Sequence, residues 1–371
     1  MESYKEGSNL QGKLVNNQER DYWFDNAKGI LIIMVVIGHF IANVVSKYDT
    51  MAFLSNFIYS FHMPAFAIIS GYFLKRRVNT KDYASVISKT IVPYLFAQGF
   101  VYLAGKIIPD GERALSTDIF NASKLFSFLF PVYHLWYFSA IVFCFVFCVA
   151  IKAEKHPTRA FITALLISLC EGFLPTVSFL KLTKIMAFLP FFVLGYTLSK
   201  NTMNIVKEKR LLAIPAVLVF AVVAVYLWSI REVGTLTGIF AMTTRYKSFV
   251  FDIPFYYAVL VRLGFIVGGV ILSFSLFSLC PRKRNPLTIL GERSIYIYIL
   301  HVVILAVIRH FHYENQILYL LDDPIKKVLY LLFGVVVCYL LVSKPVYKLF
   351  KPLFEPDFDI RKIGEYLNIK K

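Results

Sequence analysis

Long apolar stretches alternate with short charged connectors along almost the whole chain. Most stretches approach the roughly 20 residues that an α-helix needs to cross the ~30 Å hydrocarbon core of a bilayer. The pattern therefore predicts an all-α protein, a polytopic membrane bundle of about ten transmembrane helices. The expected spans are residues 29–47, 53–74, 87–108, 131–151, 160–178, 184–199, 211–229, 254–279, 287–309 and 328–349.

The charged connectors predict how the chain is oriented. Lysine and arginine are dense after the even-numbered spans and in the C-terminal tail, near 75–86, 152–159, 200–210, 280–286 and 344–371. The other connectors also carry acidic residues, such as Asp110 and Glu112. Because basic connectors tend to stay cytoplasmic, we expect both termini on the cytoplasmic side of the cell membrane. The expected domains are a cytoplasmic N-terminal arm at 1–27, a transmembrane domain at 28–350 and a cytoplasmic basic tail at 351–371.

Composition narrows the class of protein. Of 371 residues, 58% are hydrophobic and only 17% are charged, whereas about a quarter of a soluble domain is charged. The formal net charge is +17, but the basic side chains cluster beside the spans, which favours membrane lipids as partners and argues against nucleic acid. The 7 histidines and 5 cysteines show no convincing ligand cluster, so we predict no metal site.

The first span has two ionisable residues, Lys28 at its start and His39 near mid-membrane. Eleven residues separate them, which is three turns plus ~20°, so they share one face with a rise of ~16 Å between them. In one interpretation Lys28 binds an anionic, phosphate-bearing group at the cytoplasmic mouth, Asp25 orients Lys28 or completes a polar network there, and His39 is a general base. In the other, Lys28 reaches the membrane interface and His39 bonds a neighbouring helix.

Further polar and aromatic residues in or near the spans are candidates for binding a substrate: His62, His134, Trp136, Tyr298, His301 and Glu171. His62 precedes Pro64, which frees backbone groups at about the depth of His39. Structural interpretations stand beside the functional ones. The histidines can bond across helices, Trp136 can belong to an interfacial aromatic belt, and Glu171 can lie at a solvated helix end.

Five strings, in order along the chain, carry a family resemblance. They are WFDNAKGI with a following GH (Trp23 to His39), FHMPAFAIISGYF (Phe61 to Phe73), HLWY (His134 to Tyr137), LPFFVLGY (Leu189 to Tyr196) and SIYIYILH (Ser294 to His301). In these strings the chain resembles the membrane acyltransferase-3 family, and within it the fucose-4-O-acetylase-like enzymes of bacterial polysaccharide modification. The resemblance runs from Trp23 to about residue 345.

The resemblance implies an O-acyltransferase that moves an acyl group, usually acetyl from cytoplasmic acetyl-CoA, to a hydroxyl of an extracytoplasmic or lipid-linked glycan. It maps the family's basic-X10-His motif onto Lys28 and His39, with His39 catalytic. The family's Arg-X-X-Arg pair before Pro-Tyr is reduced here to Lys89. Because a lysine lacks the bidentate fork of an arginine, Arg76 and Arg77 are expected to supply further phosphate contacts.

Several questions stay open at the level of sequence. Transfer can run directly, with His39 deprotonating the hydroxyl, or through a covalent acyl-histidine. The candidates for oxyanion stabilisation are His62, Tyr298 and His301. A transporter or flippase of glycans or acyl groups fits the many-span pattern too, although no paired interrupted segments appear in two related halves. The acceptor sugar and the length of the acyl group are also open.

Overall fold

The computed structural model describes residues 21–42, 44–108, 130–132, 134–177, 179–215, 218, 237–248, 254–310 and 323–355. Within these ranges the regular elements are helical and none is a β-strand, which confirms the predicted all-α class. The longer helices are α1 (Tyr22–Ile41), α2 (Asp49–Asn79), α3 (Tyr83–Val86), α4 (Val92–Ile107), α5 (Trp136–Ala150), α6 (Pro157–Glu171), α7 (Leu182–Thr197), α8 (Lys200–Glu208), α9 (Phe255–Leu279), α10 (Pro286–Glu292), α11 (Ser294–His310), α12 (Pro324–Leu341) and α13 (Lys344–Phe354).

The helices coincide with the predicted spans, apart from the span at 211–229, most of which lies outside the described residues. By length and hydropathy, 6 helical segments of the described chain can cross a membrane, or 7 if α10 and α11 together make one span. Helices α5 and α6 have 15 residues each, which is short for a crossing. The chain is therefore a multi-pass membrane protein, while the count of ten and the side of the termini stay predictions.

Three predicted boundaries differ from the structure. Helix α1 begins at Tyr22, inside the expected N-terminal arm, because the Asp21 side chain caps it by accepting from the Trp23 N–H. The span expected at 287–309 is broken, with an angle of 82° between α10 and α11. The span expected to reach residue 349 ends at Leu341, and the separate, strongly amphipathic helix α13 follows.

Arg293 lies at the corner between α10 and α11 and stabilises it. Its guanidinium donates to Val342 O at 2.5 Å and lies 4.0 Å from the centroid of the Tyr347 ring. One side chain thus ties the corner to the end of α12 and to α13. The corner matters because α11 carries Tyr298 and His301 into the bundle.

Helices α2 and α7 pack against each other at the centre of the bundle, with a glycine at the closest approach on each. A Cβ atom at Gly71 would lie 1.9 Å from Phe192 O, and one at Gly195 would lie 2.0 Å from Ile68 O. Because both obstructing atoms belong to the backbone, neither position has room for a side chain. Small residues let membrane helices approach this closely.

A buried amide fixes the start of α1 against the segment that leads into α10. Asn26 Nδ2 donates to Pro281 O at 2.8 Å and to Lys283 O at 2.9 Å, and Thr288 Oγ1 donates to Asn26 Oδ1 at 2.7 Å. The amide is fully buried, so these bonds satisfy groups that water does not reach. The first turn of α1 therefore has a fixed position relative to α10.

Candidate active site

Two cavities open inside the bundle, one near the start of α1 and the other near its end. The first, the cationic cavity, has a volume of about 320 Å³, and its charged lining residues are Lys28, Arg77 and Lys89. The second, the histidine cavity, has a volume of about 280 Å³, and its histidines are His39, His62 and His134. Both cavities are lined by Val35, Met63 and Tyr298. These three side chains therefore form a shared wall.

The cationic cavity gathers three of the four cations predicted to contact a phosphate-bearing donor. Lys28 Nζ lies 2.8 Å from Oδ1 of the buried Asp25, and orientation of Lys28 by Asp25 stays a prediction. Arg77 and Lys89 reach the same cavity from α2 and from the turn before α4. Arg76 is exposed and is not among the lining residues, so its position does not support the predicted contact.

Lys89 is presented by a π-helical turn, Ile87–Ile91, between α3 and α4. The Val92 N–H donates to Ile87 O, five residues back, and Pro93, which has no N–H, follows at once. Such turns widen a helix locally and are frequent at functional sites. Thr90, from the same turn, also lines the cavity.

The rest of the cationic cavity is mostly apolar, with side chains such as Phe66, Ile69 and Ile141. Several hydroxyl groups interrupt this lining, and two of them, Ser70 Oγ and the Tyr137 OH, lie 2.8 Å apart in a hydrogen bond. A cavity with cations and an apolar interior fits a molecule that joins phosphates to an uncharged arm.

A pair of histidines links α1 to α11. His39 Nδ1 and His301 Nε2 are 2.7 Å apart, and the two rings stack with centroids 5.0 Å apart. His301 Nδ1 lies 2.7 Å from Ile297 O, and a carbonyl only accepts, so this nitrogen carries a proton. In a neutral His301, Nε2 is then the acceptor. His39 consequently donates through Nδ1 and carries its lone pair on Nε2, the nitrogen a general base uses.

The other candidate histidines lie beside this pair. His62 donates through Nδ1 to Ile58 O at 2.6 Å and lines the histidine cavity together with His39. The His134 ring centroid lies 5.1 Å from that of His301 and 6.3 Å from that of His39. The backbone carbonyl of His134 accepts a hydrogen bond from the Tyr298 hydroxyl. Residues distant in sequence are thus gathered at one site.

Trp136 also lines the histidine cavity, and only 4% of its surface is exposed. This burial does not fit the interfacial aromatic belt considered from the sequence. The indole packs instead against Phe188, with ring centroids 5.5 Å apart.

Glu171 lies apart from both cavities. Its carboxylate is fully buried and pairs with Arg245 and Arg262, and Arg262 also donates to Thr244 O at 2.9 Å. The solvated helix end considered from the sequence is therefore wrong. Contact of Glu171 with a substrate stays a prediction, and its two guanidinium partners give the carboxylate a structural function instead.

Sequence reasoning missed Lys184. This side chain lines the histidine cavity, and its Nζ lies 4.5 Å from the centroid of the Trp136 ring. A signal was present, because a lysine in an apolar segment is costly at membrane depth unless it reaches water, a partner or a cavity. The surrounding string, from Leu180 to Lys184, resembled an ordinary charged connector.

The sequence model of a family described as an acyltransferase domain matches residues 21–343, a stretch that contains every residue lining the two cavities. The chain belongs to the acyltransferase-3 family. Within the described ranges of this acyltransferase, no group of three or more His, Cys, Asp or Glu side chains is arranged to hold a metal ion.

Individual relatives of this acyltransferase are similar over part of its length. Nodulation protein NolL of Sinorhizobium fredii is 27% identical over 206 residues, 52% of this chain and 54% of NolL. NolL of Mesorhizobium japonicum is 32% identical over 114 residues, 27% of this chain and 31% of that protein. Inner membrane protein YcfT of Escherichia coli is 22% identical over 250 residues, 60% of this chain and 69% of YcfT. The chain thus spans about half or less of the NolL proteins it matches, and no solved structure matches it.

Proposed function

We propose that this acyltransferase is an O-acyltransferase, most simply an O-acetyltransferase, that takes an acyl group from acyl-CoA at the cytoplasmic face and transfers it to a hydroxyl of a cell-surface or lipid-linked glycan. The observation that carries the proposal is the His39–His301 hydrogen bond. It leaves the lone pair of His39 on Nε2, and His39 lines the histidine cavity.

The donor side of the proposal rests on the cationic cavity. Lys28, Arg77 and Lys89 line a cavity whose remaining surface is mainly apolar. Phosphates of acyl-CoA suit cations of this kind, and its uncharged arm suits an apolar interior. An acyl thioester at Tyr298, on the shared wall, would lie next to the histidines.

During transfer, His39 carries one proton from the acceptor hydroxyl to the leaving thiolate. His39 Nε2 takes the proton of the acceptor hydroxyl as its oxygen attacks the thioester carbonyl. A C–O bond forms, the C–S bond breaks, and the imidazolium returns the proton to the departing thiolate. His301 is a positioning residue, because it accepts from His39 Nδ1 and thereby keeps the proton off Nε2, as the carboxylate does in a serine-protease triad.

The orientation of the chain completes the proposal. Basic connectors meet near the start of α1, where Lys207 pairs with Asp21 and Arg282 donates to Lys207 O. If basic connectors stay cytoplasmic, the cationic cavity faces the cytosol that supplies acyl-CoA. The histidine cavity then faces the outer side, from which the glycan arrives.

The deciding experiment is an assay of the purified protein in nanodiscs with labelled acetyl-CoA and a de-O-acylated surface-glycan fraction. Wild type should label the glycan and release CoA, and His39→Ala should lower both by roughly 10²- to 10⁴-fold. The matched control is His156→Ala, because His156 is exposed in the connector before α6 and should leave transfer unchanged.

The opposite outcomes are equally informative. If wild type neither binds nor consumes acetyl-CoA, the donor assignment fails. If glycan enters sealed proteoliposomes unmodified and His39→Ala does not affect this movement, the protein is a transporter.

A further inference from the structure

Lys184 places a positive charge in the cavity assigned to the acceptor. It lies in the first turn of α7, at the same cavity as His39, His62 and His134. Among the described residues that line this cavity, Lys184 alone is a lysine or arginine, and no aspartate or glutamate is present. The acceptor therefore meets one fixed cation and a set of uncharged polar groups.

No described carboxylate balances this charge. The ion pairs formed within the described ranges involve Asp21, Asp25 and Glu171, and none includes Lys184. Its described partner is the face of Trp136, 4.5 Å away, and an aromatic face stabilises an ammonium group without neutralising it. Because a cation in low dielectric attracts an anion strongly, the cavity favours a ligand with negative charge.

The backbone near Lys184 adds to this preference. Helix α7 begins at Leu182 and has 16 residues, so the partial positive charge of its first turn lies at the same end as Lys184. The Lys184 ammonium and the helix terminus therefore favour the same sign of ligand charge.

We propose that the acceptor carries an acidic group, a carboxylate or a phosphate, and that Lys184 binds this group and so determines acceptor specificity. The inference rests on the proposed function and extends it from a glycan hydroxyl to an acidic glycan. The Trp136 ring lies against the Lys184 ammonium, while His39 acts on a hydroxyl elsewhere on the same acceptor.

The competing role for Lys184 is stabilisation of the oxyanion that forms at the thioester carbonyl. The two roles differ in what they depend on. An oxyanion forms with every acceptor, so its loss would lower kcat equally for acidic and neutral glycans. Binding of an acidic group matters only when the acceptor has one, and its loss would raise KM for that acceptor alone.

The test uses full-length protein in nanodiscs, labelled acetyl-CoA and three preparations of one de-O-acylated surface glycan. One preparation is untreated, one is carboxyl-reduced to remove carboxylates, and one is treated with hydrofluoric acid to remove phosphates. The enzymes are wild type, Lys184→Gln, Lys184→Arg and Lys327→Gln. Lys327 is the matched control, because it sits near Thr50 and Tyr48 and does not line the cavity.

We expect one of the two treatments to lower the wild-type kcat/KM by about 10-fold or more, mainly through KM, which identifies the acidic group. Lys184→Gln should lose about as much on untreated glycan and nothing further on that treated glycan. Lys184→Arg and Lys327→Gln should stay within about threefold of wild type. Acetyl-CoA binding by each variant confirms that it is folded.

Three results would overturn the inference. The first is an equal loss on all three preparations, mainly in kcat, which assigns Lys184 to the oxyanion. The second is Lys184→Gln with wild-type kinetics. The third is a wild type that both treatments leave unaffected. A wild type that consumes no acetyl-CoA with any preparation contradicts the proposed function itself, and is thereby distinguished from a failure of this inference.

Discussion

The two cavities share a wall but differ in how their polar groups are held. In the cationic cavity, Lys28 pairs with a carboxylate one turn away, and Lys89 lies exposed on a π-helical turn. At the histidine cavity, the imidazole of His39 bonds that of the buried His301 across 262 residues of sequence, and His301 is held in turn by the backbone of α11.

This difference matches two kinds of task. Long cationic side chains adapt to a ligand and add binding energy far from the reacting atoms, which raises affinity more than rate. A general base must keep one tautomer and one direction, which requires partners that are already in place. We therefore expect changes in the cationic cavity to affect KM for the donor, and changes to the His39–His301 pair to affect kcat.

After the loss of His39 itself, the largest effect should come from His301→Phe, which removes the acceptor of His39 Nδ1–H while keeping a flat ring. We expect kcat to fall about 100-fold or more with little change in KM, because His39 loses its fixed tautomer. Single-turnover transfer measures the effect. Partial recovery of kcat in His301→Gln, whose amide oxygen accepts, would separate positioning from packing. Wild-type kcat in His301→Phe would contradict the positioning role of His301.

A substitution outside both cavities should weaken the helix packing that supports them. Gly71→Ala places a methyl group within 1.9 Å of Phe192 O, so α2 and α7 must separate. We expect a loss of about 1–3 kcal/mol in unfolding free energy, measured by thermal or denaturant unfolding in detergent micelles. Gly99→Ala is the matched control, because its added methyl group meets nothing within 4 Å. Equal stability of both variants would contradict the close contact.

Two adjacent arginines test whether the donor binds in the cationic cavity. Arg77 lines the cationic cavity and Arg76 does not. We expect Arg77→Gln to raise KM for acetyl-CoA about 10-fold with kcat almost unchanged, because a charge-assisted contact to phosphate is lost. Arg76→Gln should behave as wild type. Similar kinetics for the two variants would contradict binding of the donor in this cavity.

The smallest effect is expected at the shared wall. Tyr298→Phe deletes the hydroxyl that donates to His134 O, a bond worth about 1 kcal/mol. Transfer should fall by about fivefold, without a change in KM for acetyl-CoA. A loss above about 100-fold would instead assign the hydroxyl to the oxyanion.

Much of the fold could be predicted from local pattern. Apolar length predicted helices, and the spacing of Lys28 and His39 predicted one face of α1, along which the structure places the two cavities. The break at Arg293 was harder, because the contacts that fix it, to Val342 and Tyr347, come from the far end of the chain. Spans read one at a time do not contain that information.

In the candidate site, too, single residues could be predicted from the sequence, but their contacts could not. Each of the four histidines in the cluster was visible as a polar residue in an apolar segment, but their pairing depends on how α1 and α11 meet. Lys184 was overlooked because charged residues at both ends of apolar segments are common, and only the cavity distinguishes it. Arg76 and Arg77 are neighbours in sequence, so helical phase alone separates them.

The ion pair between Glu171 and Arg262 has a consequence for biogenesis. Residue 171 ends α6 and residue 262 lies within α9, 91 residues later. A lone ionised side chain near the centre of a membrane helix costs about 2.5–3.5 kcal/mol on insertion scales, and less toward the interface. Glu171 is therefore synthesised before either of its arginine partners, Arg245 and Arg262. We expect α6 to reach its final packing only after α9 has emerged.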